Sequence, residues 1–199
     1  MKIALAVLCY LIGSLPTGYL IFRTGGRGDI RDFGSGATGA TNVLRLKGWR
    51  AALPVALIDL AKGFVPSFVI LRIYHDPVLA ALCASLSVLG HCFPVYIGFR
   101  GGKGVATAAG AMFAISPLPA LISLAVFVSA IALTKTVSLG SLLASLLFPA
   151  FLAAFGVPGP VIAASVPILA LILVRHSGNI RRILKGTERK IGRKEGRSS

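Results

Sequence analysis

Three glycine-rich polar stretches and one charged pair carry the residues able to do chemistry in this chain. The first stretch, FGSGATGATNVLRLKG at 33–48, has Gly34, Gly36 and Gly39, which let the backbone turn sharply and approach a ligand. Ser35, Thr38, Thr41 and Asn42 add short hydrogen-bonding side chains, and Arg45 adds a guanidinium fork suited to phosphate. The second, GHCFPVYIGFRGGKGVAT at 90–107, sets Arg100 and Lys103 around Gly101 and Gly102, ahead of Gly104 and an expected helix start. Exposed amides and the helix dipole favour an anion there. His91, at the edge of an apolar run, is either a packed histidine or a site residue. The third, RHSGNIRRILKGTE at 175–188, spaces His176 and Asn179 by three, on one face of a helical continuation beside Arg175 and Arg182. Glu188 is placed to anchor this segment by pairing with a basic loop, while Arg181 and Lys185 read as a juxtamembrane collar. Last, Asp59 and Lys62 are three apart within an apolar run, a spacing that lets them neutralise each other, and a structural role is the expectation for both.

The elements that hold these residues are read from composition. The chain has 199 residues, of which 55% are hydrophobic and 14% charged, too apolar a balance to be hidden in one water-soluble core. A helix needs about 20 apolar residues to cross roughly 30 Å of hydrocarbon. Residues 3–22, 51–71, 78–99, 138–155 and 159–174 qualify. The run 105–133 is long for one span and short for two, and Ser116-Pro117-Leu118-Pro119 divides it. The expectation is an all-α integral membrane protein with seven transmembrane helices and glycine-rich cytoplasmic loops, one membrane domain at 1–188 and a basic, disordered tail at 189–199. The first run is read as a retained span, since no small-residue cleavage pattern ends it.

Charge supports the division at 116–119. With seven spans and the N-terminus outside, residues 23–50, Arg100 with Lys103, Lys135 and the tail from Arg175 all face the cytoplasm, leaving Lys2 and Arg72 outside. A single span at 105–133 would instead export the basic tail. The net charge of +15 therefore belongs to topology and anionic lipid, not to nucleic acid.

Other chemistries lack their residues. Lys103 is followed by Gly104 where a nucleotide P-loop needs Ser or Thr. Three histidines and six acids form no metal-ligand pattern, so neither a metal nor another cofactor is expected. The acyltransferase pattern of His with Asp four residues on is absent, because Val95 stands there after His91. Cys9, Cys83 and Cys92 read as packing residues.

Taken together, GSLPTGYLI at 13–21, GSGATGATNVLR at 34–45, DLAKG at 59–63 and the stretches at 90–107 and 175–188 resemble the bacterial acyl-phosphate:glycerol-3-phosphate acyltransferases, a family of small seven-span membrane enzymes. The resemblance covers nearly the whole chain. It departs at Ala37, where the family's first loop usually has asparagine. It implies transfer of a fatty acyl group from acyl phosphate to glycerol 3-phosphate, giving 1-acylglycerol 3-phosphate and phosphate, the first acylation of bacterial phospholipid synthesis at the cytoplasmic (inner) membrane.

In that role Arg45, Lys103 and the amides of Gly36, Gly101, Gly102 and Gly104 are expected to hold phosphate, with Ser35, Thr41 and Asn42 as further contacts. His176 and Asn179 are expected to orient glycerol 3-phosphate. The proton of the attacking hydroxyl goes to His176, to His91 or to a substrate phosphate oxygen, and the residues leave these open. Membrane lipid is the remaining expected partner, with no obligate protein partner. Two rival readings are a small-solute or anion transporter and a noncatalytic lipid-binding scaffold.

Overall fold

The computed structural model describes residues 2–24 and 28–191, which contain helices and turns but no strand. Of the tail expected to be disordered, residues 192–199 lie outside the described residues. Ile191 does not stand apart, because its amide donates to the Lys135 carbonyl at 2.8 Å.

Helix α1 (Lys2–Gly13) and helix α2 (Thr17–Arg23) form one apolar stretch, broken where Pro16 cannot continue the helical ladder. The Lys62 ammonium donates to the Leu15 carbonyl freed by this break. A short α3 (Ala40–Lys47) follows the first glycine-rich loop, and Gly48, at φ 81°, separates it from the 26-residue α4 (Trp49–Tyr74). Helix α5 (Pro77–Cys92) starts on an Asp76 cap whose side chain accepts from the Leu79 amide at 2.9 Å. After a 3-10 turn at Val95–Ile97 and the second glycine loop come α6 (Val105–Ile115) and α7 (Pro117–Thr134). The division falls at Ser116, between them, where the prolines placed it. Helices α8 (Val137–Ala154), α9 (Gly159–Arg175) and α10 (Ser177–Leu184) complete the chain.

All seven expected stretches contain helix, but they are not equal. Five stretches are long and apolar enough to cross a membrane, and α9 qualifies only together with α10, to which it is bent by 57°. Of this bent pair α9 is the apolar part, and α10 carries Arg181 and Arg182. The 11-residue α6 rises about 16 Å, roughly half a hydrocarbon core. Near its start Thr107 touches Gly63, midway along α4. The second glycine loop is therefore level with the middle of α4, not with its end.

Close helix crossings depend on absent side chains. A Cβ on Gly13 would lie 2.0 Å from the Ser87 carbonyl oxygen, and one on Gly90 would lie 2.2 Å from that of Tyr10, so α1 and α5 meet backbone to backbone. Helices α4 and α6 do the same: Cβ atoms on Gly63 and Gly110 would lie 1.8 Å from Thr107 O and 2.0 Å from Leu60 O. Gly110→Val should lower the unfolding midpoint in detergent by the equivalent of about 3 kcal/mol, the upper end for overpacking. An unchanged midpoint would mean that this contact is not closed. All three cysteines are buried and unpaired, as packing residues should be.

Candidate functional site

The first glycine loop is organised by Asn42. Gly34 and Gly36 have φ of 60° and 70°, in the left-handed region where a side chain is strained. That conformation turns the loop around the Asn42 amide, whose Oδ1 accepts from Ser35 N at 3.0 Å while Nδ2 donates to Phe33 O at 3.1 Å and Ala37 O at 3.0 Å. This corrects the expectation that Asn42 donates to phosphate, because both its hydrogens are already engaged. Asn42 shapes the loop that presents Ser35. At the departure from the family pattern, Ala37 gives its carbonyl to Asn42, so this contact is made by the main chain.

The loop is pinned to its neighbour by Arg31, which no sequence motif had singled out. The Arg31 guanidinium pairs with Asp29 at 2.5 Å and donates to the Ile97 carbonyl at 2.6 Å. Its charge, through that hydrogen bond, holds the Asp29 carboxyl below the usual range.

The second glycine loop folds back on the end of α5. Gly101 N donates to Cys92 O at 3.2 Å and Gly102 N to His91 O at 3.0 Å. The Arg175 fork takes both glycine carbonyls at 2.9 Å. The amides expected to hold phosphate at Gly101 and Gly102 are thus engaged, and these residues set the loop's shape. Gly104, at φ 80°, begins α6, and Lys103 beside it donates to Asn179 Oδ1 at 2.6 Å.

The third stretch closes the site. His176 sits at the bend between α9 and α10, 2% exposed, with Nδ1 2.8 Å from the Ile172 carbonyl. A carbonyl only accepts, so Nδ1 carries the hydrogen and Nε2 of the neutral ring carries the lone pair. Asn179 passes its amide to Glu188 Oε1 at 2.6 Å, and Glu188 also receives Ser138 Oγ at 2.9 Å and Arg182 Nε at 2.8 Å. Glu188 is the anchor expected from sequence, although its partners lie on α8 and α10 and not in a basic loop.

These stretches meet in one cavity of about 500 Å³. Ser35, Thr41, Asn42, Arg45, His91, Lys103, Gly104, His176, Asn179 and Glu188 line its polar end. Gly36, Gly101 and Gly102 stand behind that lining. Beyond it the wall becomes apolar, from Met112 on α6, Leu124 and Phe127 on α7, Phe148 on α8 and Leu169 on α9. The polar end is cationic. Burial, above all, pushes Lys103 down to about 8, helped by Arg45, Arg182 and Arg175 and opposed by Glu188. Burial, then the Lys103 charge, holds His176 down to about 4. Burial works against the Glu188 charge, but the hydrogen bonds from Asn179, Ser138 and Arg182 prevail and keep its pKa low. An anion fits this end and an apolar chain fits the other, within the roughly 300–1,000 Å³ usual for a small-molecule site.

Known proteins share this sequence pattern and fold. Residues 3–186 match the family model described as glycerol-3-phosphate acyltransferase. A glycerol-3-phosphate acyltransferase of Thermoanaerobacter pseudethanolicus is 42% identical over 190 residues, covering 95% of each chain. That of Thioalkalivibrio sulfidiphilus is 44% identical over 191 residues, covering 96% of this chain and 94% of the relative. The crystal structure of PlsY, an integral membrane glycerol 3-phosphate acyltransferase, in its glycerol 3-phosphate form superposes with a TM-score of 0.91 at 38% identity, covering 96% of both chains. Its lysophosphatidic acid form gives 0.88, also at 38% identity, covering 96% of this chain and 95% of that one. This all-helical integral membrane chain belongs to the glycerol-3-phosphate acyltransferase family.

Proposed function

We propose that the protein transfers a fatty acyl group from acyl phosphate to glycerol 3-phosphate, releasing 1-acylglycerol 3-phosphate and inorganic phosphate. The observation that carries this is one cavity with a cationic, donor-rich end and an apolar continuation. Arg45 and Lys103, with the Ser35 hydroxyl, bind phosphate, and Asn179, held between Lys103 and Glu188, fixes the ammonium in place. Acyl phosphate is a mixed anhydride with a good leaving group, so aligning the attacking hydroxyl and stabilising the leaving charge suffice, with no covalent nucleophile.

His176 Nε2 accepts the glycerol hydroxyl and aims it at the acyl carbonyl. With its pKa near 4 it is a poor proton acceptor; a phosphate oxygen, with a second pKa of about 6, takes the proton better. The hydroxyl oxygen bonds to the acyl carbon, the anhydride C–O bond breaks, and phosphate leaves with its electron pair.

The protein sits in the bacterial cytoplasmic membrane with its N-terminus outside and the site facing the cytoplasm. The gathering of the basic stretches around the cavity supports this orientation. No protein partner is needed for the reaction.

Purified protein in detergent, given acyl phosphate and radiolabelled glycerol 3-phosphate, should form labelled lysophosphatidic acid, with acyl-CoA ineffective as donor. A product that requires acyl-CoA, or no product at all, would overturn the reading, and detergent leaves no compartment for a transporter.

From its polar end to its far wall the cavity is deep enough to take much of an acyl chain. Along α8 the lining runs from Ser138 to Pro149 and along α9 from His176 to Ser165, about 16 Å at the helical rise. That matches one leaflet of a hydrocarbon core roughly 30 Å thick. Ala120, 4% exposed, is at the far end. Ala120→Phe should lower kcat/KM about tenfold for 16- or 18-carbon donors and spare a 10-carbon donor. An unchanged chain-length profile would move the end of the chain elsewhere.

A further inference from the structure

Asp59, Lys62 and His91 are buried polar groups left without a part in the reaction. They are 2%, 4% and 7% exposed. Asp59 Oδ1 accepts from Lys62 Nζ at 2.6 Å and comes within 3.7 Å of His91 Nδ1. The lysine also donates to Leu15 at the α1–α2 break, so the charge on Asp59 is balanced and its position is fixed from two helices. On the other side of the imidazole lies the second glycine loop. A Cβ added at Gly102 would lie 2.1 Å from His91 Nε2 and 2.9 Å from two ring carbons, so the loop backbone rests on the ring. Past the loop, Gly63 touches the Thr107 backbone. Both ends of the loop that presents Lys103 thus stand on one short strip of α4, Asp59 to Gly63: His91 before the loop leans on Asp59, and Thr107 after it leans on Gly63.

We propose that Asp59, Lys62 and His91 are positioning residues, a charge-balanced brace beneath the second glycine loop that sets where Lys103 meets the phosphate of glycerol 3-phosphate. The brace rests on the function proposed above and adds to it that the acceptor site is assembled from behind by α4. Asp59 and His91 also reach the cavity wall, but the imidazole lies between Asp59 on its Nδ1 side and Gly102 against Nε2, which sets it as a support of the loop. Removing either member of the Asp59–Lys62 pair leaves its partner's charge buried without its counter-charge, whereas removing both leaves none.

The test is steady-state kinetics in both substrates, with detergent unfolding measured alongside. Gly102→Ala, which drives a methyl into the imidazole, should raise KM for glycerol 3-phosphate at least thirtyfold. Adding His91→Ala, which vacates the ring's space, should recover at least tenfold of that loss. Asp59→Asn/Lys62→Met, the charge-neutral double variant, should keep the parent unfolding midpoint, raise KM for glycerol 3-phosphate about tenfold, and change KM for acyl phosphate and kcat less than threefold. The brace is overturned if His91→Ala and Gly102→Ala combine with no recovery, if both substrates suffer equally, or if the double variant matches the parent. Turnover by the unsubstituted protein keeps the two readings apart: its absence removes the acyltransferase proposal, whereas its presence with unselective variants removes only the brace.

Discussion

Lys103→Met lowers kcat/KM for glycerol 3-phosphate by about a thousandfold, or about 4 kcal/mol, while the protein remains folded. Methionine keeps the buried stem and removes the charge. Truncating one partner of a buried, hydrogen-bonded charge pair costs about 2–5 kcal/mol, much of it from the partner left unpaired. Here the unpaired group is the substrate phosphate. The pH profile identifies the residue. As phosphate gains its second charge near about 6, kcat/KM rises. Above about 8 it falls, because Lys103 loses its proton there and with it the charge that attracts the anion. Burial above all pushes this limb down, Glu188 pushes it up, and Arg45, Arg182 and Arg175 add to the downward shift. Lys103→Arg keeps its charge at high pH, so the falling limb moves upward. A methionine variant within threefold of the parent, or an arginine variant with an unmoved limb, would take Lys103 out of the phosphate site.

His176 separates orientation from proton transfer. His176→Ala lowers kcat by about a hundredfold, the loss of one hydrogen bond to a group developing charge, about 1.5–3 kcal/mol. His176→Gln, whose amide oxygen still accepts a hydrogen bond, stays within about tenfold of the parent. A general base lost altogether would cost about 10²–10⁴ in both variants alike. Equal and deep losses in glutamine and alanine, measured by single turnover with both substrates saturating, would make the imidazole the base after all.

Much of this was legible in the chain because membrane proteins write their constraints in composition. The prolines at 117 and 119 marked the break between α6 and α7, and the segments bearing Arg45, Lys103 and His176 gathered at one cavity. The first two segments are separated by two helices, α4 and α5, and the last two by four, α6 to α9; an even number each time brings the chain back to the same cavity, and the spread of Lys and Arg follows that parity. What sequence could not give was which hydrogen bonds are already taken. Asn42, Gly101 and Gly102 have the composition of an anion site, yet turn geometry engages their donors internally. Arg31 and Ser138 were missed because their contacts, to Ile97 and Glu188, cross long sequence distances. Glu188 offered one signal, as an acid among basic neighbours in a chain with only six. The half-length of α6 was hidden because its apolar composition matches that of a crossing helix.

That short helix has a further consequence. Starting level with the middle of α4, α6 sets the cationic end of the cavity below the bundle's rim, where dissolved salt screens poorly; the Debye length at physiological ionic strength is about 8 Å. Capture of the anion should therefore depend only weakly on added electrolyte, unlike attraction to an exposed basic patch. The ester also forms at the depth its product will occupy, with the headgroup toward water and the tail already among lipid. Release of the product should then need no flip across the membrane.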